Sequence, residues 1–378
     1  MPPIKVLSIM GTRPEAIKMA PVIRALQGQP QDFESRICVT AQHRQMLDQV
    51  LELFQIQPDF DLDLMKPNQS LAEITASIFT HLDPLIRQIQ PDWIISQGDT
   101  TTVMATSLLA YYHRVHFGHV EAGLRTGDKF QPFPEEINRR VASVVADLHF
   151  APTPWARDNL LKEHIPAEQI IITGNPVIDA LQWVAKEPFN IFSLKNIGID
   201  LDAIRTNGTK IILVTAHRRE NFGKPLENIC RTILSLAEHY QGKVHFIYPV
   251  HLNPNVQNVA YPILGNNPHI TLIPPLDYLP LVNILKCSRL VLTDSGGLQE
   301  EAPGFGIPVL VMRDVTERPE GIQAGIVKLV GTDSKKIFTE TCRLLDDPMA
   351  YAAMAQAVNP YGDGHAAERI AEAIIAHS

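Results

Sequence analysis

Several common binding signatures are missing from this chain of 378 residues. It has neither the G-x-G-x-x-G fingerprint of dinucleotide-binding folds nor the G-x-x-x-x-G-K-[ST] loop of nucleotide triphosphatases, so the sequence does not support a nicotinamide cofactor. Its four cysteines form no C-x-x-C pair, which argues against a disulfide framework and against a zinc site. We therefore expect a reduced compartment in which the cysteines serve packing.

Long apolar runs and concentrated positive charge are also missing. No stretch approaches the roughly 18 apolar residues of a membrane span, and the N-terminal apolar run is too short for a signal peptide. The net charge is −8 without a Lys/Arg block, so a nucleic acid is not an expected partner. These features predict a cytoplasmic protein without a membrane partner. Because the chain is acidic, it must concentrate positive charge locally to bind an anion.

Two series of short apolar runs alternate with helical stretches along the chain. The runs are apolar throughout, as is typical of parallel strands covered on both faces. The length exceeds that of one ordinary core. We therefore predict an α/β protein with two Rossmann-like, doubly wound parallel-sheet domains facing a cleft. The predicted domains are residues 1–188 and 189–361, and a C-terminal helix within 362–378 rejoins the first domain.

One strand–helix junction predicts an anion site. An apolar run, 290–293, ends near Ser295, Gly296 and Gly297, and a helix-forming segment follows. Free N–H groups at such a helix start, together with the helix dipole, can seat a phosphate or diphosphate. Glu301 follows in the same segment and could accept hydrogen bonds from sugar hydroxyls, which suggests a nucleotide-sugar diphosphate. The alternative is an ordinary strand–turn–helix connection.

Cationic side chains follow strands in both halves of the chain. Arg13 and Lys18 follow the first strand and could clamp phosphate oxygens, although a capped helix start is the alternative interpretation. His217 follows a strand of the second half and suits a diphosphate leaving group. The neighbouring Arg218 and Arg219 could equally be a solvated surface pair.

Three carboxylates lie at successive connections of the first half. Asp99 and Glu121 each follow a strand, and Glu135 opens a helix beside Glu136. Because the carboxyl ends of parallel strands meet at one edge of a sheet, the three could converge on one cleft. The alternative is that Asp99, Glu135 and Glu136 simply stabilise helix starts.

Nine short motifs follow one another along the chain: TAQHR, QGDTTT, GHVEAGLRTGD, PEEINRR, TGNPVIDAL, VTAHRREN, PVHLNPNV, LTDSGGLQEEAP and VMRDVTERPEG. Taken together, these motifs resemble the non-hydrolysing UDP-N-acetylglucosamine 2-epimerase family. The resemblance begins at Ile9 and extends to the end of the chain, and its motifs occur in the family's order. It implies the fold of the two-Rossmann (GT-B type) glycosyltransferases.

The resemblance implies reversible conversion of UDP-N-acetylglucosamine (UDP-GlcNAc) to UDP-N-acetylmannosamine (UDP-ManNAc). The family removes the C2 proton as UDP leaves C1, which forms 2-acetamidoglucal, and then adds UDP back. A sugar C2–H is removable only as positive charge develops at C1, so a base and leaving-group stabilisation must act together. The chemistry needs no cofactor and no metal. The resemblance also implies a homodimer that feeds surface polysaccharide synthesis.

The resemblance assigns roles to individual positions. Asp99 and Glu121 are expected to transfer the proton at C2 in an order left open, with Glu135 tuning them and His217 stabilising or protonating the departing diphosphate. Arg13, Lys18, Ser295, Gly296, Gly297, Glu301 and Arg318 match ligand-binding positions. Gln42, Gln45, Glu136, Arg218 and His251 resemble positions where some bacterial members bind a second UDP-GlcNAc as an activator.

Three alternatives remain open from the sequence. A hydrolysing 2-epimerase would release free N-acetylmannosamine, but such enzymes tend to have H-G-G-D and D-E-S-I-R-H where this chain has HVEAGLR and PEEINRR. A GT-B glycosyltransferase would require an acceptor. A nucleotide-sugar sensor without activity would have no use for a base near C2.

Overall fold

The described chain forms two compact units. A computed structural model describes residues 2–40, 44–64, 66, 69–206 and 208–378, of which 44–46, 205 and 206 are described without their side chains. Unit 1 comprises Met1–Gln182 and Tyr361–Ser378, and unit 2 comprises Trp183–Pro360. The division therefore falls inside the last turn of a helix that ends at Val184, whereas the boundary expected from the sequence lies between residues 188 and 189.

Unit 1 is built on a parallel sheet. Its seven strands, counted over the described residues, follow the order β3-β2-β1-β4-β5-β6-β7, and all six neighbouring pairs run parallel. The chain therefore crosses over the sheet between neighbouring strands. The strands are β1 (Ile4–Met10), β2 (Phe33–Val39), β3 (Phe60–Asp61), β4 (Trp93–Gln97), β5 (His116–Val120), β6 (Leu148–Ala151) and β7 (Ile170–Ile172).

Unit 2 repeats this architecture. In its described part, six strands follow the order β10-β9-β8-β11-β12-β13, again parallel throughout. The prediction of two doubly wound parallel-sheet domains is confirmed. The strands are β8 (Lys210–Thr215), β9 (Val244–Pro249), β10 (Ile270–Ile273), β11 (Ser288–Thr293), β12 (Val309–Val311) and β13 (Val327–Leu329).

Helices connect the strands of both sheets. Short 3-10 segments span Ala167–Gln169, Ile191–Ile197, Arg219–Asn221 and Ala302–Phe305. The α-helices are α1 (Arg13–Gln27), α2 (Arg44–Leu53), α3 (Leu71–Ile89), α4 (Thr101–His113), α5 (Glu135–Val145), α6 (Pro154–Lys162), α7 (Pro176–Val184), α8 (Leu201–Thr206), α9 (Lys224–Tyr240), α10 (Pro254–Leu264), α11 (Tyr278–Cys287), α12 (Gly296–Glu301), α13 (Pro319–Gln323), α14 (Ser334–Asp346), α15 (Pro348–Ala355) and α16 (Ala366–Ala376).

Burial follows from the apolar pattern of the strands. Every residue of β4 and of β6 is buried, as expected for strands covered by helices on both faces. Helix α3 shows the complementary helical pattern. Its N-cap Ser70 forms a capping box with Glu73, and the apolar side chains Ile78, Leu82 and Leu85 pack in the core of unit 1.

The strand order reverses once in each sheet, and these two points determine where a ligand is expected. In unit 1 the reversal lies between β1 and β4, and in unit 2 between β8 and β11. Doubly wound sheets bind ligands beyond the carboxyl ends of the strands at such a switch point. The segments that follow these four strands begin at Gly11, Gly98, Ala216 and Asp294.

Two buried histidines pair across neighbouring strands of unit 1. His119 of β5 lies opposite His149 of β6 in the parallel register, and both are fully buried. Burial lowers the pKa of His119 to about 4 and that of His149 to about 3, from an ordinary value near 6.5. Both rings are therefore neutral in the folded protein at neutral pH.

Acid is therefore expected to destabilise the protein through these rings. Below pH 6.5 these histidines bind protons in the unfolded chain but not in the folded chain. Their contribution to the free energy of unfolding is therefore fully present above pH 6.5 and is lost as the pH falls toward the folded pKa values. His149→Gln should reduce the loss of stability between pH 7.5 and pH 5 by about 2 kcal/mol. Urea titrations at both pH values test this, with His81→Gln, an exposed position on α3, as the control. An unchanged pH dependence in His149→Gln would contradict the interpretation.

Candidate active site

Glu121 is a carboxylate beside the switch point of unit 1 that several side chains hold. It directly follows β5, its backbone has φ 63°, in the left-handed region, and it is buried. Its Oε1 accepts hydrogen bonds from Lys18 Nζ at 2.5 Å and from Asn175 Nδ2 at 2.9 Å, and its Oε2 accepts one from Gln97 Nε2. Such a set of donors favours a charged carboxylate held in one orientation.

Asp99 lies at the end of the adjacent strand and is more accessible. Its carboxylate pairs with Arg139 Nη2, and its backbone carbonyl accepts a hydrogen bond from Asn138 Nδ2 at 2.9 Å. The Asp99 side chain is 30% exposed, against 5% for the Glu121 side chain. A Cβ placed on Gly98, which precedes Asp99, would lie 3.9 Å from Glu121 Oε2, so the connections after β4 and β5 lie close together.

The two glutamates at the start of α5 have different environments. Glu135, expected to tune the other carboxylates, is half-buried at the first position of the helix. Glu136, expected in an activator site, is fully buried, and its carboxylate accepts hydrogen bonds from the backbone N–H groups of Thr126 at 3.1 Å and Gly127 at 3.3 Å. Glu136 therefore holds the 126–127 turn within unit 1.

Glu15 is a buried carboxylate that is not among the predicted site residues. Its Oε2 accepts hydrogen bonds from the N–H groups of Gly11 at 2.9 Å and Thr12 at 2.6 Å, and its Oε1 accepts one from Thr100 Oγ1 at 2.6 Å. Burial raises its pKa above the ordinary value, although these hydrogen bonds act in the opposite direction. It joins the connections after β1 and β4, and the T-x-x-E capping-box pattern could have identified it.

The two cations of the first connection have separate environments. Lys18 is buried on α1, and its ammonium binds Glu121, a carboxylate of the same unit. Arg13, at the first position of α1, is half-buried. Lys18 therefore stabilises the negative charge of Glu121, a candidate base. This contact is additional to the phosphate binding expected from the sequence.

The switch point of unit 2 contains a histidine–aspartate pair. His217 follows β8, and its Nδ1 lies 3.2 Å from Oδ1 of Asp294, which follows β11 and is fully buried. The His217 side chain is 36% exposed. Its ring stacks on that of His251, with a centroid separation of 5.5 Å and an interplanar angle of 12°. Burial lowers the pKa of His251, and the charge of His217 lowers it further.

The Ser-Gly-Gly segment begins α12 as predicted. Ser295 is the N-cap, with no side-chain capping bond described, and Gly296 and Gly297 are the first two helical residues. A Cβ on Gly296 would come within 2.7 Å of Arg318 Nη1, so a larger residue there would have to displace that guanidinium. Glu301, which is buried at the end of α12, accepts a hydrogen bond from Tyr278 Oη at 3.0 Å.

Arg318 lies within a buried charge network. It binds Glu300 through Nε and Glu317 through Nη1, the latter at 2.6 Å, and Glu317 also binds Arg313 at 3.0 Å. Although burial alone would raise it, the pKa of Glu317 is lowered to about 2 by these arginines. The adjacent carboxylates Glu300 and Glu301 therefore differ in function: the first holds Arg318, and the second faces Tyr278.

The positions expected to bind an activator are only partly described. Gln42 and the side chain of Gln45 lie outside the described residues. Arg218 is half-buried beside His217, whereas Arg219 is exposed, so the two do not form a simple surface pair. His251 stacks on His217 and accepts a hydrogen bond at Nδ1 from Asn253 N at 3.1 Å.

Comparison with known proteins identifies the family. The sequence matches the UDP-N-acetylglucosamine 2-epimerase family over residues 24–375. It is 53% identical to the UDP-N-acetylglucosamine 2-epimerase of Yersinia pestis over 374 residues, which cover 99% of each chain. This chain belongs to the UDP-N-acetylglucosamine 2-epimerase family. The family resemblance predicted from the motifs is confirmed.

Solved structures extend the comparison to the fold. A crystal structure of UDP-GlcNAc 2-epimerase from Neisseria meningitidis bound to UDP-GlcNAc aligns with a TM-score of 0.92 at 48% identity, covering 99% of this chain and 100% of that one. A glycosyltransferase of kitacinnamycin, at 10% identity and with a TM-score of 0.66 over 98% of each chain, shares the fold alone. The family member described here therefore has the GT-B-like architecture expected from its sequence.

Two further observations concern the described residues. None of their helices combines the length and apolar character needed to cross a bilayer. Nor do their histidine, cysteine, aspartate and glutamate side chains form a group of three or more that could hold a metal ion.

Proposed function

We propose that this protein reversibly epimerises UDP-GlcNAc at C2 to give UDP-ManNAc, without hydrolysis. The proposal is supported by the names of its relatives and by the UDP-GlcNAc bound to the Neisseria meningitidis enzyme. The observation that carries it is Glu121, a buried carboxylate fixed by Lys18, Gln97 and Asn175 beside the connection of Asp99. A protein that only bound the nucleotide sugar would have no need of two such carboxylates.

The proposed reaction is an elimination followed by an addition. One carboxylate accepts the proton from C2, the C2–H electron pair forms the C1=C2 double bond, and the C1–O bond breaks with its electron pair on UDP. The bound 2-acetamidoglucal then receives a proton at C2 on the opposite face, while UDP adds back to C1. Asp99 and Glu121 are the two proton-transfer groups, because they occupy adjacent connections and differ in accessibility. Glu135 tunes them.

Unit 2 supplies the leaving-group chemistry in this proposal. The N–H groups at the start of α12 receive the diphosphate, and His217 stabilises or protonates it as it leaves. Arg13, Lys18, Ser295, Gly296, Gly297, Glu301 and Arg318 remain the proposed ligand-binding set, and Glu136, Arg218 and His251 the described members of the proposed activator site. The protein would act as a cytoplasmic homodimer that supplies UDP-ManNAc to surface polysaccharide synthesis.

Product analysis separates this function from hydrolysis and glycosyl transfer. Purified protein incubated with UDP-GlcNAc alone in D₂O should give UDP-ManNAc, with deuterium at C2 of both nucleotide sugars. Proton and phosphorus NMR follow both changes. Free N-acetylmannosamine with UDP would indicate a hydrolysing enzyme, and an absence of reaction until an acceptor is added would indicate a glycosyltransferase.

Glu301 is expected to recognise the nucleoside of UDP. Its buried carboxylate faces Tyr278 and can accept further hydrogen bonds from ribose hydroxyls. Glu301→Ala should weaken UDP binding about 10- to 100-fold, the range expected for losing a charge-assisted hydrogen bond or a pair of them. Calorimetry should show the loss for UDP and uridine but unchanged affinity for pyrophosphate. Tyr278→Phe is the control, because it removes only the hydrogen bond between Tyr278 and Glu301. Equal losses of UDP affinity in both variants would assign Glu301 a purely structural role.

A further inference from the structure

Asp294 is the buried group around which the His217 connection is organised. Its Oδ2 accepts three hydrogen bonds, from the backbone N–H groups of His217 at 2.7 Å and Arg218 at 2.8 Å and from Asn221 Nδ2 at 3.1 Å. Its Oδ1 is buried and lies 3.2 Å from His217 Nδ1, an ion-pair distance, and in the described chain no donor makes a hydrogen bond of good geometry to that oxygen. Oδ2 therefore holds the backbone of His217, and Oδ1 faces its ring.

The charge of this carboxylate determines which proton the imidazole carries. Burial alone would raise the pKa of Asp294, but the contacts with His217 and the backbone N–H groups lower it below its ordinary value. An ionised carboxylate only accepts hydrogen bonds, so the ring nitrogen that faces it must carry a proton. With the proton on Nδ1, the more distant nitrogen, Nε2, remains available to a ligand.

We infer that Asp294 is a positioning residue that holds His217 with Nδ1 protonated and Nε2 directed to the leaving diphosphate. The inference rests on the proposed function for the identity of that ligand. Asp294 would not touch the substrate: it would act through His217, by fixing the ring orientation and by stabilising the imidazolium whenever Nε2 carries the proton that the diphosphate receives.

Asp294→Asn tests this inference with little change of shape. The three donors at the Oδ2 position require the carbonyl oxygen of the new amide there, so its NH₂ group replaces Oδ1 and faces Nδ1. An NH₂ donor requires an unprotonated Nδ1, which moves the ring proton to Nε2. Two-dimensional ¹⁵N NMR of ring-labelled protein, assigned with His217→Gln, should show a protonated Nδ1 in the wild type and a protonated Nε2 in Asp294→Asn.

The kinetic consequence should be confined to turnover. We expect kcat for epimerisation to fall about 10²- to 10⁴-fold in Asp294→Asn, the range for losing a correctly protonated acid or base, with UDP affinity within a few-fold of the wild type. Asn221→Ala is the structural control. It removes the hydrogen bond from Asn221 Nδ2 to Asp294 Oδ2 but leaves the contact between Asp294 Oδ1 and the His217 ring, so the His217 tautomer should not change.

The NMR result does not depend on turnover, so the two hypotheses fail separately. Wild-type protein that forms no UDP-ManNAc would contradict the proposed function and leave the tautomer assignment intact. A wild-type ring protonated only at Nε2, or the same tautomer in Asp294→Asn as in the wild type, would overturn the inference. So would a loss of kcat in Asn221→Ala equal to that in Asp294→Asn, because it would assign Asp294 a purely structural role.

Discussion

Glu121→Gln is expected to lower the rate of deuterium uptake at C2 of UDP-GlcNAc by about 10³-fold or more, within the range for a lost general base. The amide can keep hydrogen bonds to Lys18 and Asn175 but cannot accept the C2 proton. Asp99→Asn should have a comparable effect, because each face of the sugar requires its own proton-transfer group. Proton NMR in D₂O measures the exchange, and calorimetry measures the affinity for UDP, which should remain within a few-fold of the wild-type value.

The control for this prediction is another carboxylate of unit 1. Glu168→Gln removes one negative charge at an exposed position of the 3-10 segment Ala167–Gln169 and should leave exchange unchanged. Normal exchange in both carboxamide variants would show that neither Asp99 nor Glu121 moves the proton. Loss of exchange together with loss of UDP binding would instead indicate that the amides distort the site.

Lys18→Met is expected to destabilise unit 1 by about 3 kcal/mol. The Lys18 and Glu121 side chains are only 11% and 5% exposed, so removing the ammonium leaves a buried carboxylate without its ion-pair partner. Breaking a buried pair in this way typically costs about 3–5 kcal/mol, whereas removing both charges costs less. The free energy of unfolding, measured by urea titration at pH 7.5, should fall accordingly.

A double-mutant cycle distinguishes the ion pair from simple loss of packing. Lys18→Met combined with Glu121→Gln should recover at least half of the stability lost in Lys18→Met alone, since no uncompensated charge remains. Lys162→Met, at an exposed position on α6, provides the control for replacing a lysine with methionine. Additive effects of the two site substitutions would show that the contact between Lys18 and Glu121 contributes no coupling energy.

The sequence predicted the elements well because its signals were local. Apolar runs identified the parallel strands, and glycine, proline and capping residues identified the helix starts. The Ser295 to Gly297 segment begins a helix as expected, and the carboxylates Asp99 and Glu121 follow strands β4 and β5. Rules about strand ends were therefore sufficient to find segments that lie at the two switch points or beside them.

The partners of these residues were not predictable, because they are distant in sequence. Lys18 and Glu121 lie 103 positions apart, and the backbone of His217 lies 77 positions from Asp294. The expected contact of Lys18 with phosphate stays a prediction, and its contact with Glu121 is one that the sequence did not indicate. No local pattern assigns a role to Asp294, and Glu15 shows only a capping-box pattern. Such pairings depend on strand order and on burial, which periodicity does not encode.

The central claim is that the C1–O bond breaks during every epimerisation event. Positional isotope exchange tests it directly, with UDP-GlcNAc labelled with ¹⁸O in the oxygen that bridges C1 and the β-phosphorus. If UDP leaves and returns, the label should move into the non-bridging β-phosphoryl positions of the recovered nucleotide sugars at a rate comparable with epimerisation, as measured by ³¹P NMR. Complete epimerisation with the label still entirely in the bridge would contradict the account.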